Sequence, residues 1–435
     1  MKKDKTMEKL VSLCKRRGFI FQSSEIYGGL ESTFDYGPLG VELKNNIKQQ
    51  WWKDVVTSRH DVVGMDSAIL MNPKVWEASG HVKNFHDPMV DCKNCKARFR
   101  SDHIDIDKPC ERCGIRDWTE PRQFNLMFKT NVGPVETSDE IAYLRPETAQ
   151  GIFVNFNNAQ KTARMKLPFG IGQVGKSFRN EITTGNFLFR SREFEQMELE
   201  YFVKPKESSE WLDYWVEARF NWYKDLGITE EKLRLREHGE EELAHYAAKC
   251  YDVEYEFPFG WSELEGIADR GTYDLDQHVS FSGKRLSWFD TKSNEHITPA
   301  VVESSAGVDR TVLTVLADAY KEEEVKGEER VLLSLSRKIA PCKIAVYPLV
   351  NRDGMPEIAE KIFNDLRTNF ACFKDAGGSI GRRYRRQDEA GTPFGITVDS
   401  QTLEDSTVTV RVRDTMEQER VAAEKLSSYF IEKLN

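Results

Sequence analysis

Four of the eight cysteines fall in two tight pairs, Cys92-x-x-Cys95 and Cys110-x-x-Cys113, with fourteen residues between the pairs. Each pair can present two thiolates to one ion from a tight turn, and two such turns complete the tetrahedron zinc prefers in structural sites. A filled tetrahedron leaves no open position, so the expected role is structural. His103 lies between the pairs and could replace one ligand, although four thiols suffice. The other reading is two unrelated pairs with no metal. Cys14, Cys250, Cys342 and Cys372 are scattered and read as small buried apolar residues.

A second stretch offers different chemistry. Residues 172–182 and 188–202 read as two strands joined by a short Gly-Asn loop, an antiparallel hairpin. Side chains alternate faces along a strand. Arg179 and Glu181 then share a face of the first strand, and Arg192, Phe194, Gln196, Glu198 and Glu200 share a face of the second. Such a face offers a guanidinium for phosphate, a carboxylate for an exocyclic amine, a ring that stacks on a base and further carboxylates for an ammonium group. Several charges on one sheet face are costly if merely buried. A solvated charged face is the other reading, and the neighbouring Phe and Met residues weigh against it.

The elements that must position these groups are legible in outline. The chain has 435 residues, 39% of them hydrophobic, enough for a large core and about three domains. No run of eighteen apolar residues marks a membrane span, and the N-terminus lacks the apolar stretch of a signal peptide, which points to the cytoplasm. The net charge of −9 argues mildly against nucleic-acid binding, but a local basic surface suffices. Lys161, Arg164 and Lys166, and the run of Arg382, Arg383, Arg385 and Arg386, could supply one. Leu43, Ile47, Trp51 and Val55 recur every fourth residue and predict a helix over 41–57. Further helices are expected at 208–226, 237–250 and 308–325, with short strands over 123–202 and 253–302 and a connection near 326–341. After residue 341 the texture becomes strand–helix alternation, with a strand at 343–350, a helix at 357–368, a strand at 408–412 and a helix at 417–433.

Phe178–Glu181, followed by Phe189–Phe194, resembles motif 2 of class II aminoacyl-tRNA synthetases. Gly307–Arg310, opening a helix, resembles motif 3, and the helix at 41–57 with the apolar stretch ending at Pro73 resembles motif 1, the dimer element. Ser24–Gly29, Asp35–Gly40, Ser79–His81, Leu144–Gly151, Gly378–Gly381 and Arg383–Gln387 are similar to glycyl-tRNA synthetases in particular. The resemblance spans about residues 7–430. It implies an α+β fold: an antiparallel-sheet catalytic domain over 1–340, a zinc-ribbon-like insert at 88–120, and a C-terminal α/β anticodon-binding domain over 341–435.

The resemblance also implies a reaction. Glycine's carboxylate attacks the α-phosphate of ATP, and the terminal ribose of tRNA-Gly then takes the glycyl group, with Mg2+ bridging phosphates. Arg179 would contact the α-phosphate, Glu181 the adenine amine, Phe194 one face of the ring and Arg310 the other face and the γ-phosphate. The implied ATP site extends to Asn180, Phe189, Arg190, Ser191, Arg192, Glu193, Glu263, Leu264, Gly307, Val308 and Asp309. The implied glycine site holds Arg100, Glu147, Phe194, Glu195, Gln196, Met197, Glu198, Glu303, Ser304, Ser305, Ala306 and Gly307. Glu147, Glu198 and Glu303 would receive the ammonium, and larger amino acids would be excluded by packing. The basic run at 382–386 would meet tRNA, and the protein would be a homodimer. Where many relatives carry Glu-Pro-Ser, this chain has Glu303-Ser304-Ser305. The segment between the cysteine pairs is also shorter than in many bacterial relatives. Prolyl, threonyl, seryl and histidyl enzymes share the class motifs, and a synthetase-like binding module is a further reading. Retention of Arg179 and Arg310 argues against the module.

Overall fold

Pro38 opens a helix where a missing N–H is tolerated. This helix, α1 (Pro38–Trp52), continues through a wider π turn at Lys53–Thr57. Leu43, Ile47, Trp51 and Val55 are all buried, as their spacing predicts. The chain is described here by a computed structural model over residues 5–102, 104–133, 141–182, 185–239, 241–243 and 247–434.

The helix packs on a seven-stranded sheet. In chain order its strands are β1 (Val62–Gly64), β2 (Phe169–Phe178), β3 (Glu193–Val203), β4 (Leu233–Glu237), β5 (Lys249–Phe257), β6 (Gly260–Gly271) and β7 (Ala300–Gly307). They lie in the order β4-β5-β6-β7-β3-β2-β1, antiparallel throughout except for the β1–β2 pair. Alternation along β3 divides the sheet's two faces. Met197, Leu199, Tyr201 and Val203 enter a core shared with α1, α2 (Ser208–Asp225) and α3 (Val308–Ala319). Gln196, Glu198 and Glu200 point the other way and are buried as well.

One charged pair lies under the helical face. Arg219 of α2 donates from Nε to Glu265 Oε1 at 2.7 Å and from Nη2 to Oε2 at 3.2 Å, with both side chains essentially inaccessible. The Ser304 hydroxyl also donates to Glu265, at 2.5 Å.

A three-stranded sheet of Arg98–Arg100, His86–Asp91 and Arg122–Asn125 carries the cysteine insert. The C-terminal part has its own five-stranded sheet, ordered Cys372–Lys374, Ile344–Pro348, Phe394–Val398, Thr407–Val412 and Gln418–Ala422. Its first three strands are parallel and the rest antiparallel. It has a separate core built around Ile344, Ile396, Val410 and Phe430. The α+β reading therefore holds.

Several element expectations are corrected. The helix expected at 237–250 is replaced by the facing ends of β4 and β5, whose ladder pairs Glu237 with Tyr251; residues 240 and 244–246 lie outside the described set. The helix expected over 308–325 stops at Ala319. Tyr320–Val325 instead pairs with Glu328–Leu333, inside the expected connection, around a turn at Lys326-Gly327. Strand pairing also claims Gln418–Ala422, so the last helix begins only at Leu426. Helices Ala149–Val154, Phe156–Thr162 and Tyr273–Ser282 interrupt stretches read as strands. The motif 2 hairpin is not tight. β2 ends at Phe178 and β3 starts at Glu193, so Arg179, Glu181 and Arg192 stand on a long excursion.

Arg219→Met should lower unfolding stability by about 3–5 kcal/mol, because it strands Glu265 as an unpaired buried charge. Urea denaturation checks this; a midpoint equal to wild type would show that the pair carries no such weight.

Candidate active site

The polar face of the sheet forms the floor of a cavity of about 330 Å³. Register explains its contents. Glu198 lies opposite Ser305 and Glu200 opposite Glu303 across β3–β7, while Gly266 lies opposite Ser305 and Ala268 opposite Glu303 across β6–β7. Opposed residues share a face, so carboxylates from two central strands meet above two very small residues.

The run Leu144–Gly151 supplies the third acid and much of the scaffold. Arg145 is buried and donates to the carbonyls of Lys176 (2.6 Å) and Ser67 (2.8 Å), fixing the chain just before Glu147. The Pro146 carbonyl accepts from Arg179 Nε at 3.0 Å. Glu147 lies 3.3 Å from His81 Nε2 and accepts from Gln150 at 3.0 Å. The Thr148 hydroxyl donates to Glu198. Glu303 pairs with Arg270, whose guanidinium also grips Asp274 at 2.7 and 2.8 Å.

These partners decide the charge states. Burial opposes ionisation of Glu147, but His81 and Arg270 outweigh it and hold its carboxyl well below the usual range. Burial acts first on Glu198, with Glu303 and Glu147 adding to it and the Thr148 and Ser305 hydroxyls opposing, so its carboxyl is pushed up to about 8. Glu200 is fully buried, neither carboxylate oxygen has a protein hydrogen-bond partner, and burial with Glu303 raises it well above the usual value. Burial also raises Glu303, with Arg270 opposing. The three pocket acids are therefore tuned apart: Glu147 is held down, while Glu198 and Glu303 are pushed up.

The two motif arginines line the same cavity. Arg179 lies 5.3 Å from the Phe194 ring and 5.5 Å from that of Phe85. Arg310 lies 4.5 Å from the Phe189 ring, donates from Nε to the Phe189 carbonyl at 3.1 Å, and has Nη1 3.3 Å from Glu263. Both arginines act on Glu263: Arg310 first, helped by Arg179, holds it below the usual carboxylate range. Arg190 pairs with the buried Glu181 at 2.8 Å. Ser191, Leu264 and Gly307 also line the cavity.

Other expected site residues lie elsewhere. Glu195, Met197, Ser304 and Ala306 point to the helical face by strand alternation: Met197 and Ala306 enter the core, Ser304 bonds Glu265, and Glu195 pairs with Lys44 and Lys48 of α1. None of them is a glycine contact through its side chain. Arg100 is held by Asp87 (2.8 Å) and Asp102 (2.7 Å), outside the lining of the acid pocket. Asn180 and Arg192 line a neighbouring cleft against the cysteine insert. Glu193 pairs with Lys176, and Val308 is core. Asp309 lines the cavity, but its carboxylate is engaged by the Tyr36 hydroxyl, by Lys44 (3.3 Å) and by the Glu195 N–H (2.7 Å). Asp309 therefore anchors the first turn of α3 to α1, and Arg310 with it.

The four paired cysteines converge. Cys92 and Cys113 sulfurs lie 3.6 Å apart, Cys95 and Cys110 sulfurs 3.8 Å apart, and all four within 4.8 Å of one another. His103 and the hairpin residues Thr183 and Thr184 lie outside the described residues. In the basic run, helix Ile380–Ala390 turns Arg383 inward. It is buried, and it donates to the carbonyls of Pro348, Leu349 and Gly378. Its reading as a tRNA contact is corrected to a structural role. Arg386 is held by Asp375, Arg385 is half-buried near Asp388 at 4.0 Å, and Arg382 is exposed.

Sequence reasoning gave no role to His81, Arg145, Arg270 or Asp274. His81 lies in a run already singled out for resemblance, which was the available signal. Nothing local marks Arg270.

Residues 128–319 match the model of the tRNA synthetase class II core domain (G, H, P, S and T), and residues 343–433 match that of the anticodon binding domain. The chain is 54% identical over 428 residues to the glycine–tRNA ligase of Borreliella burgdorferi, covering 97% of this chain and 96% of that protein. It belongs to the glycine–tRNA ligase family. Family members from Treponema denticola (53% over 433 residues, covering 97% and 96%) and Caldanaerobacter subterraneus (53% over 456 residues, covering 99% and 98%) are equally similar. A solved prolyl-tRNA synthetase from Cryptosporidium parvum shares the fold, with a TM-score of 0.70 at 15% identity over 100% of this chain and 78% of that one.

Glu198 should release its carboxyl proton around pH 8 in the free protein. The infrared carbonyl band of protonated carboxyl groups reads this directly, and Glu198→Gln should delete the step. A wild-type spectrum without any such step would contradict the assignment.

Proposed function

We propose that this cavity carries out both steps of glycine–tRNA ligation, with Glu147, Glu198, Glu303 and Ser305 receiving glycine and Arg179 and Arg310 receiving ATP. The observation that carries this reading is the acid trio above Gly266 and Ala268, side by side with two arginines from distant segments. An ammonium relieves the repulsion among the acids. The small volume over the strand floor suits an amino acid without a side chain, since larger competitors can be rejected by packing alone.

In the first step a glycine carboxylate oxygen bonds to the α-phosphorus and the bond to the bridging oxygen breaks, releasing pyrophosphate. Arg179 neutralises charge at the α-phosphoryl oxygens, and Arg310 bears on the nucleotide from the Glu263 side. In the second step the terminal ribose hydroxyl of tRNA-Gly attacks the glycyl carbonyl and AMP leaves. The protein's contribution is positioning and preorganised charge, not a covalent intermediate.

Mg2+ neutralises the triphosphate when bound; Glu263, about half exposed at the cavity wall, fits an oxygen donor for it. The four thiols fit structural zinc in donor number and spacing. Residues 1–340 form the catalytic part and 341–435 the RNA-reading part, with Arg382 and Arg385 as phosphate partners. Exposed Ile26, Tyr27 and Leu30, just before α1, suit contact with a second copy. Among the described residues no helix is long and apolar enough to cross a membrane, in keeping with work in the cytoplasm.

Glycine-dependent ATP–pyrophosphate exchange tests the reading. Exchange with threonine or proline but not glycine would overturn it. Arg179→Ala should lower exchange by about 10²–10³-fold, the usual loss of a charge-stabilising donor, with the fold intact by circular dichroism.

The glycine KM should fall as pH rises towards about 8, because an incoming ammonium must displace the Glu198 proton below that pH. Glu198→Gln should remove the slope; a wild-type KM independent of pH would contradict the coupling.

A further inference from the structure

Across β6 from the acid trio, the cavity wall carries a group that the two-step reaction leaves unused. Cys250 and Asp252 are two residues apart on β5 and so share a face. Their partners on β6 are Ala268 and Gly266, the same small residues that face Glu303 and Ser305. His238, one residue beyond β4, donates its backbone N–H to the Cys250 carbonyl at 3.0 Å and so stands beside the pair. All three side chains line the cavity. Cys250 is thus not the plain core residue its isolated position in the sequence suggests.

We propose that His238 Nε2, Cys250 Sγ and the Asp252 carboxylate form a binding site for a borderline divalent cation of the Zn2+ class, and that an ion bound there inhibits the enzyme. One donor atom from each residue lies within 4.8 Å of the other two, and His238 Nε2 is 2.8 Å from Asp252 Oδ2. Donors bound at about 2.0–2.3 Å to tetrahedral zinc sit roughly 3.3–3.8 Å apart, so closure takes side-chain rotation, not backbone movement. One imidazole, one thiolate and one carboxylate leave the fourth position of a tetrahedron open, and all three residues line the cavity. The thiol and imidazole select against Mg2+, which prefers oxygen donors alone. The reaction's own cation therefore does not compete for this set.

The surrounding groups set the cost of binding. His238 Nε2 is 2.8 Å from Asp252 Oδ2, and Arg236 Nη2 is 3.3 Å from the same oxygen. Glu242 takes the other side of Arg236 at 3.0 Å. Metal entry requires His238 to carry its proton on Nδ1, Cys250 to lose its proton to solvent, and Asp252 to exchange its Arg236 contact for the ion. No electron moves. An ion so placed adds positive charge near Glu263, the acid on which both motif arginines act, and takes up space in the cavity that the acid trio and the arginines share. The inhibitory half of the proposal rests on the function proposed above; the binding half does not.

The test uses the full chain with its four-cysteine site already filled with zinc, titrated with Co2+ alone. A thiolate-to-cobalt charge-transfer band should grow in wild type, be absent in Cys250→Ser and be weakened in Asp252→Asn. In parallel, added Zn2+ should inhibit glycine-dependent exchange, read against each protein's own rate before the addition. The half-inhibiting concentration should rise at least about tenfold in Cys250→Ser. A Cys250-dependent band in a protein that shows no glycine exchange would uphold the metal site and sink only the assigned function. Identical cobalt spectra in wild type and Cys250→Ser, or equal inhibition of the two, would overturn the proposal.

Discussion

Three carboxylates held together away from water are the constraint on which the rest of the site depends. Two unit charges about 4 Å apart repel by roughly 4 kcal/mol at the effective dielectric of a protein surface, and burial adds to that. The fold answers by setting His81 and Arg270 against two of the three. His81 serves Glu147, and Arg270, itself locked by Asp274, serves Glu303. Glu198 receives the Thr148 and Ser305 hydroxyls, yet burial and its two acid neighbours keep its carboxyl raised to about 8. The acid cluster therefore favours the arrival of a further positive charge, and its chemistry follows from which molecule supplies it.

The same economy appears at the nucleotide end. Arg179 and Arg310 come from segments distant in sequence, and each is fixed by a backbone carbonyl: Pro146 for Arg179 and Phe189 for Arg310. The anchor for α3 is the buried group of Asp309, Tyr36, Lys44 and Glu195, which ties the start of α3 to α1 and to β3. A helix that resembles a dimer element is thus joined, through two ion pairs and a hydroxyl, to the turn that carries Arg310. Preorganisation of this kind lets charge develop in the transition state without rearranging the protein.

Much of this was legible in the sequence where a short period governs. Gln196, Glu198 and Glu200 share one face and Met197, Leu199 and Tyr201 the other because strand alternation is local. The Leu43–Val55 stripe needed only helical spacing. The four cysteines converge as their pairing implies. What failed was long-range. A helix-like composition at 237–250 gave way to strand pairing with Cys250–Phe257, and Tyr320–Val325 and Gln418–Ala422 were claimed by neighbouring strands in the same way. Arg383 looked like a phosphate contact among four arginines, yet one helical face turned it into the C-terminal core of carbonyls. Arg270 lies 33 residues from Glu303 in sequence, and only the register of β6 against β7 brings them together.

Recognition of an ammonium group by an electron-rich, proton-sharing acid cluster is the central claim, and isothermal calorimetry with glycine and with glycolate tests it most directly. The two ligands differ only in an ammonium against a hydroxyl. Glycine should bind with release of a proton near neutral pH, and glycolate should show no measurable binding at the same concentrations. Glycolate binding as tightly as glycine, or glycine binding without proton release in buffers of different ionisation heat, would contradict it.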